Sequence, residues 1–277
     1  MFKIADIVYQ ACSISCPDSL LMTKKNIKDK HMKSLYLLVD FFTVIVPLLF
    51  SFHPKINFYK TWKEFFVAAI PVAVLFIIWD SIFTHYGVWN FNPRYITGVY
   101  LFKLPIEEIL FFICIPFSCV FTYFCLDKFY KLSWNPKVEN IFCIVLSLFL
   151  LITGFLFSER LYTSVTFIST AFVCLILKFI FRINWFGKAV SVYTILLIPF
   201  LIVNGILTGT GLEEPVVRYN EMENLNIRLL TIPVEDIFYG FELILLNLFI
   251  YLQLVRRKEF RRGISTENPL VPSIESK

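Results

Sequence analysis

The sequence predicts an all-α, polytopic membrane protein: about seven transmembrane helices, arranged as two parallel three-helix repeats joined by a connecting helix. Three observations predict it. The 277-residue chain is 57% apolar and only 17% charged, against about 45–50% and 25% for soluble domains. Its mean hydropathy is +0.70 and Phe alone occurs 32 times. The apolar residues are gathered into seven long runs, as membrane helices require. Finally, parts of the first half return in the second at a nearly constant offset. This composition excludes a disordered chain and argues against a soluble globular one.

The expected spans are 34–52, 65–83, 106–126, 139–157, 161–181, 190–208 and 232–254. Each is long enough to cross a hydrocarbon core of about 30 Å. Before them, residues 1–31 form a polar extension with Lys24, Lys25, Lys28 and Lys30, and lack the apolar core of a signal peptide. Met32 stands directly before the first span and is a second possible start of translation, which the mass of the mature chain decides. The reading places the first repeat at 32–134, the connecting helix at 135–160, the second repeat at 161–258 and a polar tail at 259–277.

The repeat rests on three anchors. Lys55-Ile56-Asn57-Phe58-Tyr59-Lys60 returns as Arg182-Ile183-Asn184-Trp185-Phe186-Gly187-Lys188, an offset of 127. Thr84 answers to Thr208, an offset of 124. Leu104-Pro105-Ile106-Glu107-Glu108 returns as Ile232-Pro233-Val234-Glu235-Asp236, an offset of 128. A single connecting helix gives both units the same orientation, so the two acidic motifs belong at one membrane face.

Charge and cysteine narrow the function. Of the 26 Lys and Arg, 15 fall on the side of the C-terminus and 11 on the other; the expected orientation has the C-terminus in the cytoplasm and the loops 84–105 and 209–231 outside. The net charge of +5 reads as membrane-surface charge, not as a nucleic-acid footprint. Five of the seven cysteines (Cys114, Cys119, Cys125, Cys143, Cys174) lie in apolar runs and read as small buried hydrophobes. Cys12 and Cys16 have no further ligands nearby for zinc. Three histidines (His31, His53, His85) are too few for a His-rich di-iron site. Gly209-Thr210-Gly211 does not continue into a dinucleotide-binding pattern. The last span has no Lys for a retinal Schiff base, and no Asp-rich repeat offers magnesium–diphosphate binding. No metal or cofactor is expected.

The acidic motifs carry the chemistry. Each opens a span with Pro near the first helical position, where its missing N–H costs nothing, followed by two adjacent carboxylates. Ordinary helix-start electrostatics would account for one such motif; a duplicated pair on one face points to function, since ionisable groups inside spans are expensive. Glu235, Tyr239 and Glu242 share one helix face. Phe111 and Phe112 follow Glu107 and Glu108 by one turn, and Asp80 follows Trp79 near the end of the second span. An acid beside aromatic faces can give a proton and stabilise the resulting cation. For carboxyls turned inward, desolvation and like-charge neighbours outweigh the pull of the helix N-terminus. His85, Tyr86, Trp89 and Phe91 read first as interface anchors.

At these residues the sequence resembles the membrane-integral lycopene cyclase family of carotenoid biosynthesis. The resemblance runs from about Met32 to Arg257. It rests on Asp80 with Thr84, Gly87-Val88-Trp89-Asn90-Phe91, and the first acidic motif with Phe111-Phe112. In the second half it rests on Val217-Arg218-Tyr219-Asn220, Ile227-Arg228-Leu229 and Ile232-Pro233-Val234-Glu235-Asp236-Ile237-Phe238-Tyr239. The chain is similar to the form in which both halves are fused, without an attached phytoene synthase. Asn204 takes the place of Asp80 in the second half, so the repeats are not chemically equal.

The resemblance implies a lycopene beta-cyclase: a non-redox isomerase that closes the linear ends of lycopene to β-rings, giving γ- and then β-carotene. For that reaction the expected catalytic acids are the Glu107/Glu108 pair, with Glu235 and Asp236 completing the proton circuit and Asp80 in second line. Phe111, Phe112, Phe238, Tyr239, Glu242 and Trp89 are the expected substrate contacts. Lycopene, the lipid bilayer and other carotenoid-pathway enzymes are the implied partners, and a bacterial cell membrane the implied location. Two readings from other classes stay open on the sequence: a proton-coupled transporter, which would also use repeats and intramembrane carboxylates, and a non-catalytic carotenoid-binding partner.

Overall fold

A computed structural model of the chain describes residues 32–261 and 263. Residues 1–31, with Cys12, Cys16 and the question of a start at Met32, lie outside the described residues, as does most of the 259–277 tail. Among the described residues seven α-helices follow in order: α1 (Leu35–Phe50), α2 (Trp62–Tyr86), α3 (Ile106–Phe129), α4 (Pro136–Leu156), α5 (Leu161–Leu175), α6 (Phe186–Leu207) and α7 (Val234–Arg261). A 3-10 turn over Phe58–Thr61 leads into α2, and a π-turn over Ile176–Ile180 extends α5. Six of these spans are long and apolar enough to cross a membrane. The exception is α1, whose 16 residues rise about 24 Å, less than the run 34–52 anticipates; Ser51 and the residues after it turn away instead of extending it. The protein is an all-α, multi-pass membrane protein.

The helices end where local chemistry ends them. Gly87 takes φ +74° after α2, the left-handed conformation favoured past a helix C-terminus. Asn135 accepts the Lys137 backbone N–H at 2.9 Å while Pro136 fills the first turn of α4. Proline also sits inside α1, α2, α3 and α6, which membrane helices tolerate.

The loops are more ordered than an all-α reading implies. Short strands β1 (Trp89–Phe91) and β4 (Val217–Tyr219) pair antiparallel, while β2 (Tyr100–Leu101) with β3 (Leu104–Pro105) and β5 (Arg228–Leu229) with β6 (Ile232–Pro233) form two hairpins. Strands of two or three residues leave no alternation for a sequence pattern to reveal.

These strands display the repeat directly. The hairpins are counterparts at offset 128, residue for residue. In the β1–β4 pair, Asn90 faces its own counterpart Arg218, while Trp89 faces Tyr219 and Phe91 faces Val217. A local two-fold axis therefore runs through the Asn90–Arg218 pair, as expected for parallel repeats related about the membrane normal. The β1–β4 pair roofs the bundle at the end where α3 and α7 begin. Asn92 and Arg218 both bond Glu214 beside it, at 2.7 and 2.5 Å, and together hold that carboxyl below its usual range.

At the opposite end α4 is bound to the second repeat. Glu139 pairs with Lys178 and accepts the Gly187 N–H, with both charged side chains buried. Trp134 donates to Ser191 at 2.8 Å and lies so close that a Cβ at Gly187 would meet its ring at 2.6 Å.

The repeats pack unequally. In the first, α2 lies closely along α3 and α7; its counterpart α6 touches α7 and α3 far less. Side-chain volume explains the difference. At offset 124, Ala68, Ala69 and Ala73 of α2 become Val192, Tyr193 and Leu197 of α6. At offset 128, Phe112, buried against Phe76, becomes Gly240. Small residues let α2 approach; large ones hold α6 off, and Gly240 leaves open what Phe112 fills.

Candidate active site

That standoff creates a cavity of about 130 Å³ beneath the β1–β4 roof, lined by α1, α3, α6 and α7 with single residues of α2 and α5. It runs from Glu108 to Cys119 along α3, about 16 Å at the rise of a helix. Its wall is mostly apolar and aromatic: Trp89, Phe91, Phe111, Tyr162, Phe200 and Tyr239 all contribute. Three carboxyls enter it, from Asp80, Glu108 and Asp236, and each is nearly inaccessible to solvent.

The two acidic motifs are thus hidden from water and meet in one chamber, but each sends in only its second acid. Adjacent helical residues point about 100° apart, so when Glu108 and Asp236 face the chamber, Glu107 and Glu235 face the loops. Glu107 Oε1 accepts the Thr97 backbone N–H at 2.7 Å. Glu235 Oε1 accepts the Leu225 N–H, the counterpart contact, at 2.7 Å and the Thr163 hydroxyl at 2.6 Å. Both side chains are completely buried.

The inward acids also have matched partners. Tyr36 donates to Glu108 Oε2 at 2.6 Å, and its counterpart Tyr162 to Asp236 Oδ1 at 2.5 Å. Beyond that the two poles differ. Glu108 enters the chamber together with Asp80, whose Oδ1 accepts the Tyr239 hydroxyl at 2.9 Å. Two carboxyls can bond to each other only by sharing a proton. Among the described residues no second carboxyl lines the chamber beside Asp236: Asn204 stands at the position matching Asp80, and Tyr219 donates to Asp236 Oδ2 at 3.0 Å. Burial, then the Asp236 carboxylate, push the Tyr219 phenol well above its ordinary value, so it stays a donor. One pole thus has two carboxyls, the other a single carboxyl bonded by two phenols.

Of the other expected contacts, Trp89, Phe111 and Tyr239 line the cavity. Phe112 packs behind it against Phe76, and Phe238 against Phe167. Glu242 is bound by Ser169 at 2.7 Å and Thr170 at 3.0 Å on α5, away from the cavity lining. Sequence reasoning missed Tyr36 and Tyr162, whose matched positions were the available signal. It also missed Asp40, a buried acid one turn beyond Tyr36; an acid inside an apolar span is itself a signal.

The fold and the site together define an all-helical membrane bundle in which buried acids from both repeats converge on an apolar, aromatic chamber. The comparison with known families makes this specific. The lycopene cyclase family model matches residues 33–126 and 159–254, one stretch for each repeat. The chain belongs to the lycopene cyclase family, and this membership gives it the role of a membrane enzyme acting on lycopene. No curated protein and no solved structure matches it.

Proposed function

We propose that the protein is a lycopene beta-cyclase that closes the linear ends of lycopene to β-rings, giving γ- and then β-carotene, by acid–base chemistry without net redox change. The observation that carries this reading is the convergence of Asp80, Glu108 and Asp236 on one dry aromatic chamber.

The proton held between Asp80 and Glu108 adds to the terminal double bond of the polyene. The tertiary cation so formed is attacked by the neighbouring double bond, which makes the carbon–carbon bond of a six-membered ring. A proton leaves the adjacent carbon to Asp236 and sets the ring double bond. One proton enters and one leaves, so the product is an isomer. The faces of Trp89, Phe111 and Tyr239 offset the positive charge, and exclusion of water keeps the cation from being trapped. Glu107 and Glu235 support the site from behind by holding the loops at Thr97 and Leu225.

The fold supports a single chamber, not one per repeat. The chamber of about 130 Å³ is no larger than the cavity of about 150 Å³ that holds a benzene ring, so it can take at most one end group at a time, with some widening, while the rest of the polyene lies outside it. Two rings then need two binding events, and the one-ring product is released between them. We assign the C-terminus to the cytoplasmic side on the Lys and Arg distribution, and the repeat bounds to 32–134 and 161–258.

The test is expression in cells that accumulate lycopene, followed by pigment chromatography. One-ring and then two-ring β products are expected in succession. Unchanged lycopene, or rings of another type, would reject the assignment.

A further inference from the structure

A second, polar hollow lies on the membrane face opposite the C-terminal end of α7. It measures about 350 Å³, is open to solvent, and is bordered by Thr208, Pro215, Arg218, Glu221, Arg228 and Thr231, among others. Thr208, Val217 and Tyr219 line this vestibule and the chamber alike, so the wall between them is one residue thick. Two of those three residues carry hydroxyls. Tyr219 reaches Asp236 Oδ2 at 3.0 Å. Thr208 bonds Thr231 at 2.7 Å, and Thr231 bonds the exposed Thr210 at 2.6 Å. Tyr219 and the Thr208–Thr231–Thr210 row are two separate hydroxyl systems on the vestibule wall, with no hydrogen bond between them among the described residues; a hydroxyl both donates and accepts, so vestibule water bridging the two would let a proton pass in either direction.

The first repeat has no such arrangement. Phe91 stands where the second repeat has Tyr219, and Lys103 where it has Thr231, with the Lys103 ammonium bound to His85. Among the described residues the Asp80–Glu108 pole therefore lacks the Tyr219 and Thr231 hydroxyls, while the Asp236 pole adjoins the solvent-open vestibule through Tyr219.

We infer that the vestibule is the proton port of the chamber, through which Asp236 exchanges protons with bulk water by way of Tyr219 and the Thr208–Thr231–Thr210 hydroxyls. This inference rests on the cyclase reading. Each ring closure moves a proton from the Asp80–Glu108 pole to the Asp236 pole. The port lets Asp236 discharge it to water, and water admitted by the same port once product has left recharges the Asp80–Glu108 pole. Thr231 touches neither substrate nor Asp236; it is a positioning residue of the port.

The test uses the full-length protein in lycopene-loaded liposomes in D2O. Wild type is expected to give rings carrying one deuterium each, at the carbon that takes up the proton. Thr231→Val is expected to slow steady-state turnover about tenfold but to leave the first ring closure per enzyme at the wild-type rate. Thr231→Ser, which keeps the hydroxyl, and a small diffusible acid such as imidazolium added to the valine variant should each restore turnover. If wild type forms rings without deuterium, or Thr231→Val matches wild type or slows the first closure equally, the port is overturned while the cyclase reading stands. If wild type forms no ring, both fall.

Discussion

The two repeats share their strands, hairpins, acidic motifs and first-turn hydrogen bonds, yet they are not two copies of one site. The first repeat packs α2 tightly through Ala68, Ala69 and Ala73 and fills the space beside α3 with Phe112. The second holds α6 away with Tyr193, whose hydroxyl donates to the Ile237 carbonyl at 2.5 Å, and leaves the matching space empty at Gly240. The chemistry diverges in step with the packing: two carboxyls at the Glu108 pole, one carboxyl with two phenols at the Asp236 pole. Duplication supplied a pair of symmetric acids. In the proposed mechanism, divergence of one half turned them into a donor and an acceptor on either side of a hollow that the second half leaves room for.

The strongest way to break this comparison is to make the poles alike. Asp80→Asn gives the first repeat the residue found at Asn204 and removes the proton-sharing pair. Cyclisation should fall by about 10² to 10⁴, the range of a lost general acid, with membrane insertion unchanged. Adding Asn204→Asp to that variant should not restore activity. The position matching Tyr239, which donates to Asp80, is Phe111, and it offers no hydroxyl. Recovery of turnover in the double variant, followed by pigment chromatography, would show that the poles are interchangeable and would sink the division of roles.

The next test equalises the packing. Gly240→Phe installs the side chain that Phe112 supplies in the first repeat. Even a Cβ there would meet the Tyr193 hydroxyl at 3.1 Å and Phe200 at 3.6 Å, so the ring must enter the chamber. kcat/KM should drop by about tenfold or more, in keeping with about 1–3 kcal/mol of overpacking. Phe112→Ala is the contrasting variant. It removes a fully buried ring from the well-packed half and should cost about 3–5 kcal/mol of stability, read as a lower thermal midpoint in detergent, while the protein that remains folded still cyclises. If both variants lose activity and neither loses stability, the chamber is not where the standoff of α6 places it.

Much of this was legible in the sequence. Crossing a bilayer demands about 20 apolar residues, so the spans stand out. A carboxylate pair at the start of such a span is rare enough that its return 128 residues later marks the site. Which acid of each pair turns inward was not legible, because neighbours on a helix face different ways and the choice depends on where the loop amides of Thr97 and Leu225 lie. Nor were the phenol partners: Tyr36 and Glu108 are 72 residues apart, and Tyr162 and Asp236 are 74 apart. The chamber itself was written in the repeat alignment. Gly240 opposite Phe112, and Tyr193 opposite Ala69, are volume changes that a comparison of the halves exposes once one asks what each position fills. The short strands fall below any pattern a sequence can show.

The smallest effect is expected where the repeats remain most alike. Glu107 and Glu235 each use Oε1 to accept a loop amide, while Oε2 is buried without a partner. Glutamine keeps a carbonyl acceptor of the same reach and replaces the unpartnered oxygen with an amide nitrogen. Glu107→Gln and Glu235→Gln should therefore cyclise within about threefold of wild type, since less than about 1 kcal/mol is at stake when a buried hydrogen bond is kept. Glu107→Ala and Glu235→Ala, which leave the Thr97 or Leu225 N–H unpaired, should lose about 1–3 kcal/mol of stability. The two glutamine variants need not respond equally. Glu235 also accepts from Thr163, whose counterpart in the first repeat is Leu37, so its amide oxygen must serve two donors. If either glutamine variant instead loses activity as completely as Asp80→Asn, the outer acids take part in proton transfer, and the division between inward acids that react and outward acids that hold the loops is wrong for that repeat.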